Sequence, residues 1–497
     1  MLSMLLIMQI LLLVFMISTS SQNSDILSGL LTLISLLVVL YIISKKDKPA
    51  FKLSWVFMIL FFPVFGGLFY LLFNFQSSTR RARRAIEKVE EHSRPLFDST
   101  ENLVPILTER GEDCIPQVRY LQDFAGFPVY ENTRTQYLTP GEVKFAKLID
   151  ELKTARNFIF LEYFIISRGL MWDTILEVLR EKVQQGVEVR VIYDDMGCFF
   201  RLPKDYHKTL ADMGIQCAVF NRFRPILSTL HNNRDHRKLV VIDGKTAFTG
   251  GVNIGDEYIN VVERFGHWKD AAIMVEGEAV RSFTLMFLQM WSLGTNTKED
   301  YKKYLPDWTN CCPFKSDGYV QPYADSPMDK ENVSEHVYIQ IINNAKRYVY
   351  INTPYLIIDD TIISALALAA KSGVDVRIVT PHRWDKRLVH MTTRSYYREL
   401  IRAGVKIYEY TNGFIHSKTF VSDDVVATVG TPNLDFRSLY LHFECGVWLY
   451  KNSSVLDIKQ DFLETLAVCH EITLDDCRSN AYQRFVQEVL RVFAPLM

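Results

Sequence analysis

The chain lacks a disulfide framework: eight cysteines are spread over 497 residues and none falls in CxxC spacing. The vicinal pair Cys311–Cys312 suits neither zinc ligation nor an ordinary bridge, so the cysteines read as scattered free thiols in a reducing compartment. A surplus of either charge is also missing, with 56 basic against 57 acidic groups. Nucleic-acid binders normally show a clear basic excess, so this balance argues against that class. Nothing in the composition fits a disordered or collagen-like chain. What is present is 48% hydrophobic and 13% aromatic residues, enough for two to three domains at about 150 residues each.

Long uncharged runs are concentrated at the N-terminus. Ile26 to Ser44 is nineteen residues without a charge, which at 1.5 Å per residue spans roughly 28 Å, close to a bilayer's hydrocarbon thickness. A second run, Leu53 to Phe75, lies between Lys52 and the cluster Arg80, Arg81, Arg83, Arg84. A shorter run, Leu5 to Ile17, lacks a basic flank and a cleavage site, so it is a weak signal peptide and a candidate third helix. Residues 1–79 therefore read as a membrane anchor of two or three helices, and 80–110 as a basic linker. Both the Lys45–Lys52 loop and the arginine cluster prefer the cytoplasm. A helical hairpin turning at Pro63, Gly66 and Gly67 would put them on one side. Residues 1–79 hold four basic and two acidic groups, leaving 52 basic against 55 acidic in the rest. The body is slightly acidic beside basic flanks.

Beyond about residue 110 strand-like and helix-like stretches alternate, the pattern of an α/β chain. ARNFIFLEYFII from Ala155 resembles AKRYVYINTPYLII from Ala345, and DTILEVLREKVQQGVEVRVIYDD from Asp173 matches DTIISALALAAKSGVDVRIVTPH from Asp360. A third pair lies near Gly214 and Gly404, and the offsets stay between 187 and 190 residues. The body is thus two copies of one α/β unit, over 111–300 and 301–497.

Each copy leads into the same constellation: His236, Lys238 and Asp243 with Thr249, Gly250, Gly251 and Asn253, then His416, Lys418 and Asp423 with Gly430, Thr431, Pro432 and Asn433. In a strand, residues two apart share a face, so each His and Lys point together. The aspartates follow at an odd offset and more naturally fix the strand end or turn. Stacked about a pseudo-two-fold, the copies would gather two His, two Lys and two Asn in one pocket. That set suits a phosphodiester. Ammonium and amide groups, from Lys238, Lys418, Asn253 and Asn433, would hold the non-bridging oxygens. One neutral His attacks phosphorus while the other, protonated, donates to the leaving oxygen. Each imidazole needs an acceptor on its second nitrogen; Asp270 in GHWKD and Glu444 in LHFE recur after the two motifs as candidates.

Two HxKx4D motifs in a duplicated α/β chain resemble the phospholipase D superfamily. The phrases HNNRDHRKLVVIDG, TGGVNIGDEY, TPYLI and GFIHSKTFVSDD, with the hydrophobic N-terminus, resemble its bacterial cardiolipin synthases over essentially the whole chain. The resemblance implies two mixed sheets flanked by helices with the site at their interface. It implies a phosphatidyltransferase of phospholipid biosynthesis in the bacterial cell (inner) membrane, and the two basic clusters favour the cytoplasmic face for its catalytic units. Phosphatidylglycerol would donate its phosphatidyl group to a histidine, and a second phosphatidylglycerol would take it to give cardiolipin and glycerol. By that analogy the catalytic set is His236, Lys238, Asp243, His416, Lys418 and Asp423, with His236 the nucleophile and His416 the acid. It implies no metal or other cofactor and no nucleic acid. The alternatives are a membrane-bound phospholipase D using water, a nuclease and a non-catalytic membrane scaffold. Three departures stand out: WKDAA where WRDTH is usual, LHFE for LNFE (His442), and Pro432 for alanine. Each touches head-group preference rather than the His–Lys pairs.

Overall fold

The computed structural model describes residues 22–62, 66–74, 77–98, 100–223, 229–308, 317–329 and 331–496; the first apolar run and the Cys311–Cys312 pair lie outside them. The chain divides into two compact units. The smaller gathers the N-terminal helices up to Ala82 and the chain from Asn480 onward, so the C-terminal helix Ala481–Phe493 leaves the second α/β copy, to which its sequence position assigned it. Its start is a capping box, Asn480 with Gln483, and the Ser54 hydroxyl donates to the Val492 carbonyl at 2.6 Å.

Among the described residues three helices open this unit: α1 (Gln22–Ser44), α2 (Pro49–Phe61) and α3 (Gly66–Asn74). Pro49 starts α2, where its missing N–H costs nothing. The second apolar run is thus two helices, not one. Trp55 and Tyr70 stack edge-on at 5.1 Å, whereas one straight helix would separate them by roughly 22 Å. The chain therefore folds back between α2 and α3, as Gly66 and Gly67 suggest; Pro63, the other residue of the expected turn, lies outside the described residues. A Cβ on Gly66 would sit 2.6 Å from Ile59 Cα, and one on Gly67 2.6 Å from Ser35 Cα, so only glycine lets α3 lie this close to α2 and α1. Among the described residues no helix is long and apolar enough to cross a membrane. The stretch expected as a linker is largely helix: α4 spans Ser77–Asp98. Ile86 and Phe97 are buried on one side while Arg80, Arg81, Arg83 and Arg84 are exposed.

The larger unit holds the two copies. The first contributes β1 (Thr133–Leu138), β2 (Phe158–Tyr163), β3 (Glu188–Asp194), β4 (Gln216–Phe220), β5 (Lys238–Ile242), β6 (Thr246–Gly250), β7 (His267–Lys269) and β8 (Ala272–Gly277). The second contributes β9 (Tyr319–Asp325), β10 (Tyr348–Asn352), β11 (Leu356–Ile357), β12 (Asp375–Pro381), β13 (Lys406–Tyr410), β14 (Gly413–Ile415), β15 (Thr419–Ser422), β16 (Val426–Gly430), β17 (Leu434–Asp435), β18 (Glu444–Tyr450) and β19 (Cys469–Ile472). The first sheet runs β1-β8-β6-β5-β2-β3-β4; the second runs β9-β18-β16-β15-β10-β12-β13, with β19 added at its edge. The order is the same in both, parallel through β2-β3-β4 and β10-β12-β13 and antiparallel elsewhere. The central strands read as continuous apolar runs because both faces are buried: every residue of β2 and β10 is covered. Gly186 and Gly373 take left-handed backbone after the helices Leu170–Gln184 and Asp360–Lys371, turning each chain into its next parallel strand.

The copies join through backbone as well as side chains. Strand β7, just before Asp270, pairs in parallel with β14, just before His416. Equivalently, Asp235 bridges Phe443 in parallel, just before His236 and Glu444.

Candidate active site

The alternation along β5 and β15 brings each motif histidine and lysine to one end of its strand, where the two copies meet. His236, Lys238, His416 and Lys418 are all buried. The backbone pairing between copies then sets the partners. His416 N–H donates to the Lys269 carbonyl at 2.7 Å, and His236 N–H to the Phe443 carbonyl at 2.9 Å. Each histidine is thereby laid beside the residue preceding the other copy's carboxylate. His236 Nδ1 lies 2.9 Å from Glu444 Oε1, and His416 Nδ1 lies 2.7 Å from Asp270 Oδ2. The carboxylates cross: each orients the histidine of the opposite copy.

A carboxylate accepting at Nδ1 fixes the proton there and leaves Nε2 as the free nitrogen. Lys238 and Lys418 each turn their ammonium onto the carbonyl of their own histidine. Lys418 Nζ also stands 2.8 Å from His416 Nδ1, but that N–H is committed to Asp270. Burial drives both imidazoles toward the neutral form, His236 well below its ordinary range and His416 to about 4. The neighbouring lysines add to this, and Lys386 also reaches His236. Burial lowers the lysines as well, Lys238 to about 8 and Lys418 to about 7. The site is a dense, desolvated set of two imidazoles and two amines set against two buried carboxylates, Asp270 and Glu444.

The two carboxylates are held differently. Asp270 accepts from Ala271 N–H at 2.9 Å and from the Trp268 indole at 3.3 Å. A Cβ on Gly251 would sit 2.0 Å from Asp270 Oδ1, so this position has room only for glycine. Glu444 instead accepts from the Thr431 hydroxyl, which occupies the register of Gly251. Burial raises the Glu444 carboxyl, and Lys238 opposes that shift. Trp268 packs on His416 with centroids 5.2 Å apart, and His442, at the matching register, packs on His236 at 5.4 Å.

The motif aspartates are not in the pocket. Asp243 takes left-handed backbone after β5, and its carboxylate accepts from Arg156, Asn157 and Phe158 N–H at 2.7–2.8 Å. Asp423 does the same after β15 with Lys346, Arg347 and Tyr348 N–H at 2.6–2.9 Å. Asp243 and Asp423, grouped with the catalytic residues by resemblance, thus have their carboxylates on the backbone that enters β2 and β10, locking each turn to the start of the neighbouring strand of its sheet. The asparagines also hold local structure. Asn253 accepts from Ile165 N–H and donates to the Tyr258 hydroxyl, and Asn433 donates to Asp435. Of the departures, Ala271 and Ala272 are buried, and the Pro432 carbonyl accepts from the Tyr338 hydroxyl.

Several side chains here went unnoticed in the sequence. Phe164 packs edge-on against His236 at 4.9 Å. Arg234 forms a buried ion pair with Asp194 at 2.7 Å, steadying the backbone that enters His236. Glu162 is buried in β2, with Arg237 Nη1 3.8 Å away; an acid in the apolar run FIFLEY was the available signal. His236, His442 and Glu444 offer ligand atoms within 4.8 Å of one another. The Glu444 oxygens are already engaged, by His236 Nδ1 and the Thr431 hydroxyl.

Comparison with known proteins places this geometry. A family model described as "Cardiolipin synthase, PLD-like domain" matches residues 148–291 and 338–466, and one described as "Phospholipase_D-nuclease N-terminal" matches 30–73. The chain is 36% identical to a cardiolipin synthase of Halalkalibacterium halodurans, over 95% of this chain and 93% of that protein. It is 37% identical to a cardiolipin synthase of a Geobacillus strain, over 96% and 95%. An uncharacterized protein of Streptococcus mutans is 45% identical, over 92% and 99%. The structure of a phosphatidylserine synthase from Haemophilus influenzae shares the fold, with a TM-score of 0.56 at 16% identity, over 76% of this chain and 97% of that one.

Proposed function

The chain belongs to the cardiolipin synthase family, with its duplicated phospholipase D-like fold, and on that premise we propose that it joins two phosphatidylglycerol molecules into cardiolipin and glycerol. The crossed histidine–carboxylate pairs carry this reading, because an acceptor on each Nδ1 leaves each Nε2 for chemistry, with the Lys238 and Lys418 ammonium groups held on the carbonyls of the same histidines. The phosphodiester enters as an anion, and its charge offsets Lys238 and Lys418. That same anion favours a proton on His416 Nε2, which the empty site disfavours. His236, held further toward its neutral form, attacks phosphorus through Nε2. The bond from phosphorus to the glycerol oxygen breaks, and His416 gives that oxygen its proton. A phosphatidyl group now sits on His236. In the second half, His416 takes the proton of a hydroxyl on another phosphatidylglycerol. That oxygen attacks phosphorus, the P–N bond breaks, and cardiolipin leaves. The lysines stabilise the non-bridging oxygens in both steps, and Asp270 and Glu444 hold the two rings in the productive tautomer.

The test is incubation of the purified, detergent-solubilised chain with phosphatidylglycerol alone. Cardiolipin and glycerol in equal amounts support the reading. Phosphatidic acid would make the protein a phospholipase D, and no turnover would leave a scaffold.

The N-terminal helices anchor the enzyme in the bacterial cell membrane with the catalytic unit on the cytoplasmic face. Supporting this, α1 and α2 expose large apolar side chains, among them Leu40 and Phe61 at 57% and 72%. The fold-back of α2 onto α3 returns the chain toward the side of the Lys45–Lys52 loop. Cysteines placed at Lys48 and Ala82 should both react with an impermeant reagent from the same side; labelling of only one would overturn this topology.

A further inference from the structure

The two copies carry a feature that the transfer reaction does not use. Directly after β3 the chain runs Met196 to Phe200, and directly after β12 it runs Arg383 to Arg387; the 187-residue offset makes these equivalent positions. Both border the same pocket. A Cβ on Gly197 would sit 2.0 Å from the Phe164 carbonyl oxygen, and Phe164 is the ring packed on His236. On the other side Asp385 and Lys386 hold the Tyr355 hydroxyl at 2.6 and 3.1 Å, and the Tyr355 ring lies 6.4 Å from Phe414, itself 6.1 Å from the His416 ring.

Both segments expose large apolar side chains. Phe200 is 93% exposed, Trp384 53% and Leu388 57%. Single exposed apolar residues are ordinary, but these are grouped. Phe199 meets Phe200 at 4.9 Å and Phe223 at 5.8 Å, forming one aromatic cluster. Exposed basic groups lie among them: Lys204 and Arg222 beside the first cluster, Arg383 and Arg387 in the second. The nearest acids are tied down, Asp195 by Phe223 N–H and Asp385 by Tyr355 and Lys386. A basic, aromatic rim on a slightly acidic body has the composition of a surface that sits at the headgroup level of an anionic bilayer.

We propose that these paired segments form a membrane-contact rim that seats the mouth of the active site on an anionic lipid surface. The rim rests on the reading that the substrate is a bilayer phospholipid, and it adds how that substrate is reached. Aromatic side chains enter the interface on both sides of the pocket, and the arginines meet lipid phosphates. A lipid then moves into the site without crossing water.

Hydrogen exchange of the full-length wild-type protein, in nanodiscs of phosphatidylglycerol and of phosphatidylcholine, reads the contact without turnover. Residues 196–200 and 383–388 should exchange at least fivefold more slowly in the phosphatidylglycerol discs. Equal exchange in the two would overturn the rim. Kinetics give a second reading, from the ratio of KM for phosphatidylglycerol in bilayers to KM for a water-soluble short-chain phosphatidylglycerol. The double variant F199S/F200S and the single variant W384S should each raise that ratio about tenfold; an unchanged ratio contradicts the proposal. A variant that misfolds loses both activities, and the wild-type exchange then decides. Protected segments without cardiolipin formation would retain the rim and remove the proposed reaction. Cardiolipin formation with unprotected segments would do the reverse.

Discussion

The two copies of the α/β unit agree in everything that builds the strands and differ in what surrounds the reacting groups. Strand order, motif spacing and the turn aspartates repeat. The carboxylate cradles do not. In the first copy Gly251 makes room for Asp270, and the Trp268 indole donates to it. In the second, Thr431 donates to Glu444, and His442 stands at the register of Trp268. The Nδ1-to-carboxylate distance is nevertheless 2.7 Å in one and 2.9 Å in the other. The histidine–carboxylate contact is therefore the constrained quantity, and different neighbours are used to reach it. Two steps that need opposite proton states from the two imidazoles give a reason for the difference.

The comparison can be broken most severely at the histidines. His236→Ala and His416→Ala should each lower turnover of phosphatidylglycerol by about 10⁴-fold or more. Only His236→Ala should abolish the acid-labile phosphatidyl adduct seen by mass spectrometry. An adduct surviving in His236→Ala would exchange the roles of the copies.

The lysines sharpen the comparison through pH. Each must be charged to hold the phosphodiester, and each has a lowered value, so charge is lost as pH rises. A plot of kcat/KM against pH should fall above about 4 as His416 loses the proton it must donate, and fall more steeply between about 7 and 8 as Lys418 and Lys238 lose their charge. The acid side should fall as the nucleophilic imidazole gains a proton. A profile flat from pH 6 to 9 would contradict the placement of these amines.

A smaller effect separates the cradles. Thr431→Ala removes a donor from a buried carboxylate and should cost about 1–2 kcal/mol of transition-state stabilisation, roughly five- to thirtyfold in kcat. The smallest catalytic effect belongs to the turn aspartates, which repeat in both copies. Asp243→Ala and Asp423→Ala should each destabilise the fold by about 1–3 kcal/mol in denaturant melts, with kcat of the folded fraction within a fewfold of the parent. A loss of kcat as large as that of His236→Ala would return these residues to the catalytic set.

Much of this is legible in the sequence. Period-two alternation put His and Lys on one face, and the odd offset sent Asp243 and Asp423 elsewhere, to the turn that they occupy. The near-constant repeat offset implied one fold used twice, and both sheets have one strand order. The crossing of Asp270 and Glu444 was not legible. It depends on the pairing of β7 with β14 and of Asp235 with Phe443, contacts between segments far apart in sequence that no local pattern encodes. For the same reason the roles of Asn253 and Asn433 in holding their loops came only with the fold. The basic stretch after residue 80 read as a linker because its charges dominate, while Ile86 and Phe97 bury one side of a helix.

The crossing is tested most directly by changing the leaving group. A phosphatidyl donor carrying p-nitrophenol in place of glycerol departs without an acid, so His416 and whatever orients it become dispensable for product release. In the single-turnover burst of p-nitrophenol from this donor, which precedes the step that needs His416 as a base, Asp270→Asn should recover alongside His416→Ala, while Glu444→Gln should remain as impaired as His236→Ala. If instead Glu444→Gln recovers with His416→Ala and Asp270→Asn falls with His236→Ala, each carboxylate serves its own copy and the crossed arrangement is wrong.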